Sequence, residues 1–200
     1  MASGNAGIKR MRNKTSIIFL FLGAVLIISA CALCAYYTYE DHQAKVNAAL
    51  ILKVVEHPLE EKVQEEEQLV IQVEDFEAEV IGILTIEKLS IHLPVLSEYT
   101  TGNLKFSVCC YERDYFAKSG RMVIAGHNYK SHFGRLSQMT NGDIVIFTDI
   151  HGNESQYYVT EIIEIDGEDA GALDEGDWTL SLFTCAFDRT KRIVIRCKEA

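Results

Sequence analysis

Three residues in this chain, Cys185, His127 and Arg192, could act together on a carbonyl group. A cysteine thiolate is a strong nucleophile, and an ordinary thiol with a pKa of ~8.5 needs a neighbouring cation to ionise near neutrality. Imidazole, with a pKa of ~6.5, can both give and take a proton there. A guanidinium can face the oxyanion that develops when a nucleophile adds to a carbonyl. These are the parts of a thiol acyl transfer: the sulfur attacks, the imidazolium protonates the leaving amine, and the guanidinium stabilises the negative oxygen.

Such chemistry needs a scaffold that brings distant residues together. Residues 179–184 read as a β-strand that ends at Cys185, and residues 193–195 as part of the strand that follows. The intervening AFDRTK is polar enough for a loop, with Asp188 shaping the turn. Arg192 has opposite parity to Ile193 and Ile195. If those isoleucines are core, Arg192 points away from the core, towards whatever Cys185 faces. Residues 121–125 form another strand, which delivers Gly126, His127 and Asn128 at its end. Functional side chains commonly sit at such strand ends, fixed by the scaffold yet reachable.

Each residue taken singly also has a plainer explanation. A strand cysteine packs as a small hydrophobe, a histidine after a glycine belongs to a turn, and an arginine is a surface charge. His92, His132 and His151 lack a matching nucleophile. Cys197 shares the core parity of Ile193 and Ile195 and reads as packing. Adjacent Cys109 and Cys110 cannot form an ordinary bridge with each other. No cysteine spacing suits zinc, and no cofactor or metal is expected.

The chain has 200 residues, with 29 Asp and Glu against 19 Lys and Arg. That balance argues against a nucleic-acid partner. Much of the excess is local, because residues 56–80 hold ten acids and one lysine. Residues 1–14 are basic, and residues 15–37 carry no charge. At ~1.5 Å per residue that apolar run crosses a ~30 Å hydrocarbon core. The flanking charges predict a single-pass signal-anchor in the cell membrane, with a cytoplasmic N-terminus and the rest of the chain outside. Residues 28–31 (ISAC) also have the pattern of a lipidation site at Cys31, although the apolar run continues past it. Residues 38–79 are expected to be a linker. Within it, residues 44–55 form a helix ended by Pro58, and residues 56–80 form a solvated acidic spacer. From residue 80 onward, short β-rich runs recur at 81–86, 89–96, 121–125, 143–148, 156–165, 179–184 and 192–196. Turn signals separate them, and residues 131–139 read as a helical turn. This spacing predicts a small antiparallel barrel or sandwich.

The stretches GILTIEKLSIHLPVL, VIAGHNYKSHFGRL and LSLFTCAFDRTKRIVIRC together resemble the sortases, membrane-anchored cysteine transpeptidases of Gram-positive bacteria. The resemblance covers residues 80–200 and the anchor architecture. It implies a mainly β fold, an eight-stranded sortase-type β-barrel with short helices, behind the transmembrane helix and linker. It gives Cys185 the role of nucleophile, His127 that of general acid and base, and Arg192 that of oxyanion or substrate stabiliser. Thr184 and Asn128 fall beside the substrate. The implied reaction cleaves a C-terminal LPXTG-like sorting signal between Thr and Gly. The resulting thioacyl enzyme passes the surface protein to an amine of a cell-wall precursor or of peptidoglycan. The motif TKRIVIRC is similar to class B members, whereas the short interval 165–178 argues against a full class B insertion and leaves class D open.

Two rival enzyme classes fit less well. L,D-transpeptidases place a Gly before the cysteine and an Arg soon after it, whereas the sequence here is FTCAF. Papain-like and NlpC-type hydrolases carry Cys before His, the reverse of this order. The non-enzymatic alternative is a membrane-tethered β-domain that binds a peptide, with Cys185 structural.

Overall fold

The computed structural model describes residues 4–61, 68–73, 75–169, 171–185 and 190–200; of these, the side chains of 4–15, 57–61, 115, 116 and 185 are left aside. Asp188 and the turn expected around it lie outside the described residues. The chain divides into two compact units, Met1–Glu40 and Asp41–Ala200.

The first unit is helical, the opening part of α1 (Gly4–Glu61). Its apolar side chains are bare, with Phe19 75% and Leu20 77% exposed. By length and composition this helix can cross a membrane. Two of its hydroxyls bond within the helix: Ser29 Oγ donates to the Val25 carbonyl at 2.9 Å and Thr38 Oγ1 to that of Cys34 at 3.1 Å. Such internal pairing suits a surrounding without water.

In the second unit, α1 continues past Pro58 to Glu61, so the proline does not end the helix as expected. The proline forfeits the N–H that would have bonded back to the Val54 carbonyl, so the helix continues with one backbone hydrogen bond fewer. Ala44, Ala48, Ile51 and Val55, spaced along one helical face, are buried. Nine strands follow among the described residues: β1 (Leu69–Val73), β2 (Phe76–Ile86), β3 (Ile91–Leu96), β4 (Val108–Cys110), β5 (Met122–Gly126), β6 (Ile144–Asp149), β7 (Glu154–Asp166), β8 (Leu180–Cys185) and β9 (Lys191–Glu199). A short helix, α2 (Arg113–Ala117), precedes β5. The expected helical turn contains the 3₁₀ segment Leu136–Gln138.

The sheet order is β1-β2-β3-β4-β5-β8-β9-β7-β6, and β6 pairs back onto β2. Strands β2 to β9 thus close an eight-stranded barrel, and β1 adds a ninth strand outside the closure. Gly82 permits that closure. A Cβ there would lie 2.3 Å from the Thr148 carbonyl oxygen and 2.6 Å from the Phe147 ring. It also stands at the irregularity where β2 exchanges β1 for β6 as its second neighbour.

Three expectations need correction. The barrel is not all antiparallel, because β3–β4 and β5–β8 are parallel pairs. The acidic spacer is not wholly solvated: it contains β1 and the start of β2, and alternation places Ile71 and Val80 in the core. The strand expected from residue 89 begins at Ile91, because Ser90 adopts a left-handed conformation (φ 51°) after a 3₁₀ turn.

Alternation divides the buried side chains into two layers. Leu84, Ile124, Leu182 and Ile195 fill the barrel. Val123, Ala125, Phe183 and Val194, on the opposite parity, join Ile51, Val55, Ile71 and Trp178 on the outside. Strands buried on both faces read as continuous apolar runs, as VIAG and LSLFT do.

Candidate active site

The site residues stand at the ends of three neighbouring strands. β5 and β8 run parallel with Gly126 opposite Thr184, so the next residues in each chain segment, His127 and Cys185, emerge side by side. β8 and β9 are antiparallel with Cys185 opposite Arg192. Cys185 has the parity of Ser181 and Phe183, His127 that of Val123 and Ala125, and Arg192 that of Val194. All three positions therefore belong to the outer face of the barrel.

Arg192 is half-buried. Its guanidinium lies 5.2 Å from the centroid of the Phe183 ring. Its Nη1 is buried and has no hydrogen-bond partner among the described residues. A buried guanidinium donor without an acceptor is costly unless something supplies one. Tyr111 stands edge-on to Phe183 at 5.4 Å, and Tyr99 edge-on to Tyr111 at 5.0 Å. Burial raises the Tyr111 phenol pKa, and the nearby Arg192 charge pulls it the other way. Tyr99 and Tyr111, with Ser97 and Arg113, line an open cleft of about 590 Å³. The aromatic cluster was not singled out from sequence, yet Phe183 shares the parity of Cys185 and could have been found that way.

His127 opens a tight loop. Its carbonyl accepts from the Phe133 N–H at 3.0 Å, and the Tyr129 carbonyl accepts from the N–H groups of His132 and Gly134 at 3.0 and 2.8 Å. Gly126 allows this: a Cβ there would meet the Phe133 ring at 2.6 Å. At Gly134 a Cβ would meet the Tyr129 carbonyl oxygen at 2.7 Å. The His127 ring packs on Tyr129, with centroids 4.8 Å apart, and Tyr129 in turn packs on His132 at 5.7 Å. His132 is fully buried, and neither ring nitrogen has a hydrogen bond of normal geometry among the described residues. Burial, reinforced by His127, lowers its pKa to about 4; the Ala44 carbonyl and Asp41 oppose the shift. His132 is therefore neutral near pH 7.

Asn128 is exposed beside His127. Thr184 is 1% exposed and has the inward parity of Leu182, with its hydroxyl unpartnered among the described residues. The other thiols of the barrel, Cys109, Cys110 and Cys197, are free and buried. Burial pushes them up to about 12, 11 and 12 respectively, which suppresses the thiolate.

The fold and its sequence have counterparts among known proteins. Sortase A of Bacillus anthracis is 29% identical over 123 residues, which span 58% of this chain and 58% of that relative. The chain thus matches little more than half the length of that curated relative. The crystal structure of Listeria monocytogenes sortase A superposes with a TM-score of 0.53 at 24% identity, covering 60% of this chain and 87% of the other. The Sortase D5 transpeptidase of Clostridium perfringens superposes with a TM-score of 0.54 at 18% identity, covering 80% and 99%. These structures share the fold. The family model for the sortase domain matches residues 84–200, more than half of the chain. On that match, this chain belongs to the sortase family.

Proposed function

We propose that the chain is a membrane-anchored cysteine transpeptidase with Cys185 as nucleophile, His127 as general acid and base, and Arg192 as the oxyanion or substrate stabiliser. The supporting observation is the strand register: parallel β5–β8 pairing brings His127 beside Cys185, and the β8–β9 ladder sets Arg192 opposite. The Nη1 of Arg192, without a hydrogen-bond partner among the described residues, suits a donor for an anionic oxygen.

The Cys185 thiolate attacks the Thr carbonyl of an LPXTG-like sorting signal. The C–S bond forms as the carbonyl π electrons move to oxygen. Protonated His127 gives its proton to the departing Gly nitrogen, the C–N bond breaks, and a thioester remains. An amine of a cell-wall precursor or of peptidoglycan then attacks the thioester. Neutral His127 takes the proton from that amine, and the thiolate departs. Protons and electrons balance over the cycle, with no cofactor consumed. Asn128 lines the substrate side, and Thr184, whose hydroxyl is buried, contributes there through its backbone. The apolar stretch 15–37 anchors the chain, with residues 1–14 cytoplasmic and the catalytic domain, residues 80–200, outside.

The test is to incubate the full chain, held in nanodiscs, with a quenched sorting-signal peptide and a small amine. Wild type is expected to form the amide product, and Cys185→Ala to lose at least about a thousandfold in rate. Product that persists in Cys185→Ala rejects the nucleophile. Peptide bound but never cleaved by the wild type favours the non-catalytic peptide-binding domain.

A further inference from the structure

The loop that begins at His127 is tied to α1, outside the part of the chain that matches the family model. Asp41 Oδ1 accepts from the Ser131 N–H at 2.9 Å and from Ser131 Oγ–H at 2.8 Å. The Asp41 backbone carbonyl lies 3.2 Å from the same hydroxyl. One turn further along α1 Ala44 is buried, and its carbonyl opposes the lowering of the His132 pKa. From there the ring contacts run through Tyr129 to His127. The remaining backbone bonds of the loop are internal, from Phe133, His132 and Gly134 back to His127 and Tyr129. They shape the loop without tying Ser131 or His132 to another element. Among the described residues, the hydrogen bonds that tie Ser131 to another element come from α1.

We propose that the segment of α1 around Asp41 and Ala44 is a positioning element for His127, so that this sortase is completed by a part of the helix preceding its barrel. Asp41 fixes Ser131, and Tyr129, in tilted ring contact with both His132 and His127, transmits that placement to the imidazole. A one-ångström displacement of an acid–base group can cost one to two orders of magnitude in rate while leaving substrate binding intact. Asp41 therefore acts on kcat through His127, without touching substrate. The inference rests on the role assigned to His127 above, and its test includes a measurement independent of turnover.

The experiment compares the full chain in nanodiscs with Asp41→Ala, Asp41→Asn and Lys45→Ala; Lys45 is exposed on the same helix. Amide hydrogen exchange is followed at Ser131–Gly134 and, as a reference, at Val123 and Ile124 of β5. In Asp41→Ala the loop amides are expected to exchange about tenfold faster while the β5 amides do not change. Turnover of the sorting peptide is expected to fall about tenfold in kcat with KM unchanged. Asp41→Asn, which keeps an Oδ1 acceptor for the Ser131 N–H, restores most of the rate, and Lys45→Ala matches wild type. Loop exchange in Asp41→Ala within about twofold of wild type overturns the proposal, as does an equal rise at β5, which signals general destabilisation. Loosening of the loop with no loss of kcat also overturns it. A wild-type chain that cleaves no sorting peptide removes the reaction proposed above, and the exchange comparison still decides whether α1 holds the loop.

Discussion

Arg192 and His127 flank the Cys185 position and are held by different means. Arg192 belongs to a strand, its place set by the ladder that pairs it with Cys185, and its guanidinium rests on Phe183 of the neighbouring strand. His127 lies one residue beyond its strand and is held by a loop folded on itself and pinned to α1. Ladder register is cooperative, because a slip of one residue turns every side chain to the other face. A loop is held by a few specific contacts, each removable alone. Changes on the arginine side should therefore act directly on the chemistry, and changes on the histidine side should act through packing and stability.

Arg192→Lys is expected to have the largest effect. It keeps the charge but loses the forked donors and the flat face over Phe183. Turnover should fall about a hundredfold or more, the scale for losing an oxyanion donor, with little change in unfolding midpoint. Steady-state kinetics paired with denaturation measures both. Equal turnover would mean that a point charge suffices and that register confers less than claimed here.

His132→Phe probes the histidine side through pH. Burial holds the ring of the wild-type protein at a pKa of about 4, below the ordinary imidazole value of ~6.5. The unfolded chain therefore binds more protons between those values. The contribution is fully present above about pH 6.5, is lost as pH falls towards 4, and changes no further below that. The loss amounts to roughly 3 kcal/mol, and the phenylalanine variant should not show it. Urea unfolding at pH 7 and pH 4.5, followed by circular dichroism, measures the difference. Equal acid sensitivity in the two proteins would place the titration elsewhere.

Gly126→Ala is the smallest of the three. The new Cβ meets Phe133 at 2.6 Å. Overpacking of this kind costs about 1–3 kcal/mol. Unlike Arg192→Lys, the variant should lower both the unfolding midpoint and kcat. An alanine variant with unchanged stability would show the loop to be softer than its contacts suggest.

What could be read from the sequence follows the same division. The ends of β5 and β8, the start of β9 and the outward parity of Arg192 were legible, because period-two alternation needs only neighbouring residues. The long apolar helix was legible from its uninterrupted run of uncharged residues, 15–37. The parallel partnership of β5 and β8 was not, since nothing in VIAG or LSLFT names its neighbour. β4 was missed because three residues, Val108–Cys110, are too few to show a period. β1 was hidden by the acids of its flanks, at positions 65–67 before it and 74 and 75 after it. Asp41 and Ser131 are separated by 90 positions along the chain, and a single aspartate in a helix gives no sign of its distant acceptor role.

The place of β9 in the sheet has a consequence for biogenesis. Among the described strands it is the last in chain order, yet it lies between β8 and β7. While a chain is still growing, its thiol has no arginine across from it, and two long strands lack a shared neighbour. Pairings so distant in sequence are slow to form. On the roles proposed above, Cys185 thus gains its arginine only once β9 has been made, and a chain truncated before residue 191 would leave β7 and β8 with edges prone to aggregation.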